Sequence, residues 1–149
     1  MERDILFRGK RADNAEWIEG YYMYHINRTI CPAGDSIKPD DVEHIILFDG
    51  FSDWNMPRGI NYNHVLPETV CRYTGLTDKN GRKIFEGDIV SAWNEGSHAT
   101  GRVKQRIDGL WLLYPAWQNK IMWGLCPNNK GETTVEIIGN IFDNPELLN

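Results

Sequence analysis

Apolar and polar residues alternate along most of this chain, in short runs that turn residues separate. A period of two over four to eight residues predicts β-strands. Residues 5–11 and 16–24 bracket the polar segment 12–15 and predict an N-terminal β-hairpin. Residue 65 opens a second series, in which the predicted strands are 70–73, 89–93, 101–107, 110–114, 121–124 and 135–140. Short, evenly spaced strands of this kind favour a small antiparallel barrel or sandwich.

The strongest turn signal is Asp78-Lys79-Asn80-Gly81, because Asn-Gly supplies the positive φ that a tight hairpin needs. A short strand at Ile84-Phe85 follows, and Glu86-Gly87-Asp88 then bends the chain into the next strand. We therefore interpret this motif as structural, since its residues set backbone angles and accept backbone N–H bonds. The residues concerned are Gly75, Asn80, Gly81, Gly87 and Asp88.

The middle of the chain, residues 25–63, is rich in Gly, Pro, Asp and Asn and predicts irregular structure. The apolar island Ile45–Phe48 is the one segment there that predicts a buried strand. Residues 49–59 predict a long loop, which in a compact domain is usually functional or mobile. Near the C-terminus, Asn144-Pro145 predicts a single helical turn.

The composition is that of a globular protein, because 41% of the residues are hydrophobic and 25% are charged. The length of 149 residues indicates one domain, or one domain with a small appendage. We divide the chain into an N-terminal hairpin with the irregular segment, residues 1–66, and a C-terminal β-barrel with the final turn, residues 67–149. The net charge of −5 disfavours sequence-independent nucleic-acid binding, which depends on phosphate neutralisation.

Four motifs stand out: Leu6-Phe7-Arg8-Gly9-Lys10-Arg11, Trp17-Ile18-Glu19-Gly20, Tyr73-Thr74-Gly75-Leu76 with Glu86-Gly87-Asp88-Ile89-Val90, and Glu136-Ile137-Ile138-Gly139-Asn140-Ile141-Phe142-Asp143-Asn144-Pro145-Glu146-Leu147-Leu148. These motifs, at both ends and in the middle of the chain, resemble the YopX family, small proteins of bacteriophages and prophages. Cys71-Arg72 departs from the family pattern, which usually reads Gly-Gln there, and residues 27–63 carry no recognisable motif. The resemblance implies a mainly β fold, with an N-terminal β-hairpin extension and a C-terminal SH3-like small barrel, and no established activity.

Catalytic and metal-binding patterns are sparse. The sequence has no Gly-x-Ser-x-Gly elbow, no phosphate-binding glycine loop and no Cys-x-x-Cys pair. His44 beside Asp40, Asp41 and Glu43 lacks the ligand spacing of a cation loop. We expect no metal, no cofactor and no catalytic residue. The enzyme alternative is a nucleic-acid enzyme that uses Glu86 and Asp88 as paired carboxylates.

A second alternative is single-stranded nucleic-acid binding through a basic strand. Arg102, Lys104 and Arg106 alternate with Val103 and Ile107, so a strand here presents three cations on one face and two apolar residues to the core. A solvated outer face is the interpretation we favour, because the chain is acidic overall. Small barrels bind single strands through such faces where aromatic residues interleave with the cations. The candidate aromatic residues are Trp93, Trp111 and Trp117.

The N-terminal hairpin suggests an interaction surface. Trp17, Tyr21 and Met23 share one predicted face, and Ile18, Tyr22 and Tyr24 share the other, so neither face is polar. A lone two-stranded ribbon is marginal in water. We expect self-association through Trp17 and Tyr22, although the middle segment folding over the ribbon within one chain is the alternative.

The function that follows is that of a non-enzymatic phage or prophage accessory protein that binds a macromolecule. A protein partner or self-association ranks above nucleic acid, because the chain is acidic and contains 6 Trp and 6 Tyr. We expect no membrane interaction and a place in the host cell cytoplasm, since the sequence has no signal peptide and no apolar run of membrane-spanning length.

Overall fold

A computed structural model describes residues 4–31, 34–51 and 54–148. In this part the regular structure is antiparallel β-strand together with short turns of 3-10 helix, so the mainly β prediction is confirmed. The strands are β1 (Phe7–Lys10), β2 (Trp17–Ile26), β3 (Val42–Asp49), β4 (Ile60–His64), β5 (Cys71–Thr77), β6 (Lys83–Phe85), β7 (Asp88–Asn94), β8 (Ser97–Gln105), β9 (Trp111–Gln118), β10 (Ile121–Gly124) and β11 (Glu136–Asn140). The 3-10 turns are Pro39–Asp41, Pro67–Thr69 and Pro145–Leu148, the last of them at the predicted C-terminal helical turn.

The described chain forms two compact units. The N-terminal unit is Leu6–Val70, and the C-terminal unit runs from Cys71 onward together with residues 4–5. The chain passes from one unit to the other a few residues after the division that the sequence predicts. Closure of the C-terminal unit into an SH3-like barrel stays a prediction.

In the N-terminal unit, four strands pair in the order β4-β3-β2-β1. The register places Tyr22 opposite Ile46, and Ile46 opposite Asn63. Ile46 is fully buried and Val65 is 4% exposed, so the core of this unit lies on their side of the sheet. After β4 the chain returns to β1, where Leu66 N–H donates to Lys10 O and Ala12 N–H donates to His64 O.

The N-terminal hairpin is therefore not a lone ribbon, which corrects the sequence-based description. β3 pairs with β2 along six residues, and the island Ile45–Phe48 lies within β3 as predicted. β4 occupies part of the segment that was predicted to be irregular. Its sequence, Ile60-Asn61-Tyr62-Asn63-His64, does alternate, but the two asparagines hide the pattern because Asn is depleted in strands.

In the C-terminal unit, five strands pair in the order β10-β9-β8-β7-β11. The β5–β6 hairpin joins this unit through backbone bonds, in which Thr77 N–H donates to Gly131 O and Lys79 N–H donates to Val135 O. The strands and the loop before β11 together bury a single cluster of apolar side chains. That core consists of Ile84, Val90, Ala92, Ala99, Val103, Leu113, Trp123, Leu125, Val135 and Ile137.

The predicted turn between β5 and β6 is confirmed. Gly81 N–H donates to Asp78 O over 3.0 Å, and Gly81 has a φ of 80°. Because that φ lies in the left-handed region, the Asn80-Gly81 pair fits the turn as the sequence indicates. The second predicted bend, at Gly87, also has a positive φ, of 86°.

Candidate functional site

One side of the N-terminal sheet, opposite the core, carries a continuous apolar patch. Cross-strand pairs bring its residues together, since Tyr21 lies opposite Leu47 and Leu47 lies opposite Tyr62. The next pair along each ladder adds Met23 beside Ile45. We call this patch the apolar face and define it as Tyr21, Met23, Ile45, Leu47, Ile60 and Tyr62.

The apolar face is open to solvent. Ile60 is 78% exposed, Tyr21 63% and Tyr62 57%, while Ile45, which lies between Met23 and His64, is buried. Scattered exposed apolar residues are ordinary, but a contiguous group on one sheet face usually marks an interaction site. The apolar face is therefore the candidate functional site of this unit.

Both ends of the apolar face are polar. At one end the Trp17 ring is half-buried beneath the cationic groups of Arg8 and Lys10, whose charges lie 4.7 and 5.4 Å from its centroid. At the other end the Glu43 carboxylate lies between two imidazoles, 3.3 Å from His64 Nε2 and 3.8 Å from His25 Nε2. An apolar centre between polar ends has the composition of a protein interface.

The two residues that the sequence predicted for this hairpin lie on different sides of the sheet. Trp17 is on the side of the apolar face, whereas Tyr22 is on the core side, where its ring packs 5.8 Å from Phe7. Burial raises the pKa of Tyr22, and its hydroxyl shares a hydrogen bond of 2.5 Å with His44 Nδ1. Tyr22 is thus engaged within the fold.

The β3–β4 loop carries further exposed apolar side chains. Gly50 N–H donates to Gly59 O over 2.7 Å and closes the neck of this loop. Phe51 and Trp54 are 95% and 96% exposed, and Met56 is 63% exposed. Two residues of the predicted 49–59 loop, Ser52 and Asp53, lie outside the described residues. The loop leads directly into β4, so these exposed side chains are close in sequence to the apolar face.

The predicted basic strand is only partly as expected. Arg102 and Lys104 lie on one face of β8, and both charges stack on the Tyr114 ring, at 5.4 and 5.1 Å from its centroid. Val103 on the opposite face is buried in the core, as predicted. Tyr114 is an aromatic partner that the sequence analysis missed, because it lies on the neighbouring strand, opposite Arg102.

Arg106 does not belong to this basic face, which corrects the prediction. β8 ends at Gln105, and Arg106 N–H donates to Leu110 O across the tight turn that Asp108-Gly109 makes. The Arg106 guanidinium bonds Asp108 and lowers the pKa of that carboxyl to about 2, so its charge is already paired. Ile107 lies at the tip of the turn and is fully exposed, contrary to its predicted core position.

The three candidate tryptophans do not interleave with the β8 cations. Trp111 lies opposite Gln105, on the core side, and stacks under Arg72 at 5.3 Å. The Trp93 ring lies beneath the Lys79 charge and contacts the His98 ring at one end of β7. Trp117 is 69% exposed and lies opposite Met122. The structure therefore disperses these aromatic residues around the C-terminal unit.

The motif residues Glu86 and Asp88 are built into the bend before β7. Asp88 is 2% exposed, and its Oδ2 accepts the Phe85 N–H over 2.8 Å, while Glu86 N–H donates to Arg72 O. Holding a backbone N–H is the structural role that the sequence favoured for Asp88.

Asp78 is a buried carboxylate whose importance the sequence did not reveal. It is 2% exposed, and its Oδ1 accepts the N–H groups of Asn80 and Arg82, each over 2.9 Å. Its Oδ2 accepts the N–H of Ile137 on β11 over 3.2 Å. This carboxylate therefore shapes the turn and also ties the β5–β6 hairpin to the sheet.

Metal-binding geometry is not found in the described residues, where no three His, Cys, Asp or Glu side chains are grouped as ligands. Asp41, one of the acids weighed from sequence, bonds Arg28 and the Lys38 N–H. Across residues 4–31, 34–51 and 54–148, no helix is both long and apolar enough to cross a membrane.

Comparison with known protein families identifies a match. The family described as YopX protein matches residues 6–149, which is nearly the whole chain. No curated protein matches the chain.

Proposed function

The chain belongs to the YopX family, and we propose that it is a non-enzymatic phage or prophage accessory protein that acts in the host cell cytoplasm by binding a protein. The partner, another protein or a further copy of the chain, meets the apolar face of the N-terminal unit. The observation that carries this proposal is the exposure of Tyr21, Met23, Ile60 and Tyr62 on a single side of one sheet.

The chemistry of the N-terminal unit supports a protein over a nucleic acid as the ligand of this face. Residues 6–70 contain ten acidic and six basic side chains, a net charge of −4. Such a unit repels phosphates, whereas aromatic and methionine side chains on a rigid sheet are typical of protein-binding centres. Tyr and Trp side chains also contribute disproportionately to protein-binding energy.

Placing charges on the apolar face should abolish partner binding. We expect Tyr21→Glu combined with Met23→Glu to remove any protein that co-purifies with the tagged wild-type chain from induced or infected cells after nuclease treatment. The physical reason is that binding would have to bury two carboxylates without partners. Quantitative mass spectrometry of the purified material, with sedimentation to detect self-association, makes the measurement.

The matched control is Thr29→Glu combined with Ser36→Glu, which adds the same charge at exposed polar positions of the same unit. It should keep wild-type binding. Recovery of neither a protein partner nor an oligomer from the wild type would contradict the proposal, as would equal recovery from the apolar-face variant.

A second candidate function, single-stranded nucleic-acid binding, is favoured by the stacking of Arg102 and Lys104 on Tyr114. Cations combined with an exposed aromatic ring are the parts of a single-strand platform. The platform here contains one ring and two cations, so it supports only weak binding, dominated by phosphate contacts.

If that platform operates, single strands should bind weakly and lose affinity steeply as salt rises. Arg102→Glu with Lys104→Glu should reduce the affinity at least tenfold, as measured by fluorescence anisotropy at low salt. Arg106→Glu is the control and should change little, because Arg106 is already paired with Asp108. Equal binding by all three proteins, or no binding by the wild type, would remove this surface from consideration.

A further inference from the structure

We propose that a second copy of this chain binds at the β4 edge of the apolar face, by antiparallel pairing of the two β4 strands about a two-fold axis at Asn61. This inference rests on the proposed function, because β4 forms the edge of the apolar face. It adds the identity of the partner and the register of the contact.

The outer edge of β4 has backbone groups available for pairing. Val65 N–H donates to His44 O and Gly50 N–H donates to Gly59 O, at the two ends of the β3–β4 ladder. These two bonds show which residues of β4 form hydrogen bonds with β3. In an antiparallel ladder, every second residue of a strand bonds to a given neighbour, and the residues between them direct their backbone groups to the other side. Ile60 and Tyr62 therefore direct their N–H and C=O groups away from β3. Within the described chain these groups have no partner, whereas His64 O accepts the Ala12 N–H.

Ile60 and Tyr62, whose backbone groups point outward, have a single residue, Asn61, between them. This spacing makes the edge of β4 complementary to itself. An antiparallel second copy centred on Asn61 places Ile60 opposite the partner's Tyr62 and Tyr62 opposite the partner's Ile60. Each pair exchanges two backbone hydrogen bonds, which gives four across the contact. A two-fold axis is the commonest symmetry of homo-oligomers and generates this repeated pairing.

The side chains of the edge fit the same register. Ile60 and Tyr62 both lie on the apolar face, so each β-branched side chain meets an aromatic ring of the other copy. Cross-strand pairs of these residue types stabilise sheets. The two apolar faces then lie side by side on the joined sheet. Ile60, which is 78% exposed in one copy, becomes partly buried against the other copy.

Charge explains why the contact between copies uses this strand. Two N-terminal units of net charge −4 repel each other, and β4 is a strand without an acidic, Lys or Arg side chain.

The test is the self-association of the full chain between 1 and 100 µM, measured by sedimentation equilibrium. We expect a dimer with a Kd on the order of 10 µM, as suits a small edge contact. Ile60→Pro should raise this Kd at least tenfold. Proline removes the outward N–H without affecting a bond to β3, and Gly59 before it tolerates the restriction on its backbone.

The matched control is Ile60→Val, which keeps both the N–H and the β-branched side chain, so its Kd should stay close to that of the wild type.

A second, independent measurement uses disulfide formation. Residues at the centre of the pairing face each other without hydrogen bonds, with Cα atoms about 4.5 Å apart, within disulfide range. Asn61→Cys should therefore cross-link rapidly on mild oxidation, in a background where exposed Cys31 and Cys126 are replaced by serine.

Asn63→Cys in the same background should not cross-link, because Asn63 lies away from the axis. If Ile60→Pro still dimerises like the wild type and Asn61→Cys does not cross-link, the β4 pairing is wrong. The chain would then self-associate through another surface. A wild-type chain that is monomeric at 100 µM would overturn this inference. The apolar-face variant in co-purification then judges the proposed function separately, since a different protein can still occupy that face.

Discussion

Replacing Asp78 by alanine is expected to lower the free energy of unfolding by about 3 kcal/mol. The carboxylate is buried and accepts three backbone N–H groups, two in the turn and one on β11. A hydrogen bond to a charged group contributes roughly 1.5–3 kcal/mol, and a buried donor left without an acceptor carries its own penalty. Urea unfolding followed by tryptophan fluorescence measures the loss.

The three bonds do not contribute equally. Asn80 and Arg82 are exposed, so water replaces the acceptor that their N–H groups lose. The N–H of Ile137 lies in the core, where Ile137 itself is 8% exposed, and it has no such substitute. Removing the buried carboxylate also removes its own desolvation penalty, which keeps the net loss below the sum of three charged bonds.

Asp108→Ala is the matched control. Asp108 also accepts a turn N–H, that of Leu110 over 3.3 Å, but it is exposed in a turn of the same unit. Its replacement should cause a much smaller loss, because the same chemistry is screened and hydrated at the surface. Equal losses for the two variants would show that the burial of Asp78 does not determine its contribution.

The Asp78–Gly81 turn shows what the sequence reveals about this fold. The turn is encoded locally, since Asn-Gly requires only its own backbone conformation. The tie from Asp78 to Ile137 spans 59 residues and depends on which strands become neighbours. Local patterns therefore predicted most strands and both bends of the motif, whereas the contacts that hold the hairpin to the sheet required the structure.

The candidate surface was predictable only in part, for a similar reason. Alternation along β2 correctly separated Tyr21 and Met23 from Tyr22, but it could not say which side faces the core. That choice depends on β3 and β4, and β4 was hidden by its asparagines. The basic strand was misjudged at its end, because the Asp108-Gly109 turn takes Arg106 out of β8. The error at Arg106 therefore concerns a turn and the choice of face concerns partner strands, whereas β4 was missed because of its own sequence pattern.

Replacing Gly20 by alanine is expected to destabilise the N-terminal unit by about 3 kcal/mol. A Cβ at this position would lie 2.1 Å from Leu47 O and 2.8 Å from Ile46 Cγ2. Both atoms belong to β3, and one is backbone, so the strand has to move away from β2. Overpacking a core in this way commonly costs about 1–3 kcal/mol, and displacing a paired strand places Gly20 at the upper end. Urea unfolding of the full chain measures the effect.

Gly59→Ala is the control for Gly20→Ala, since a Cβ at Gly59 meets nothing within 4 Å. Both substitutions remove the same backbone freedom from the unfolded chain, so their difference isolates the close approach of β2 and β3. If Gly20→Ala proved as mild as Gly59→Ala, the two strands would have to lie farther apart than the structure places them. A large loss of unfolding free energy would instead show that Gly20, the last residue of the Trp17–Gly20 motif, is needed for β3 to pack closely against β2. The apolar face is built on that close packing of the two strands.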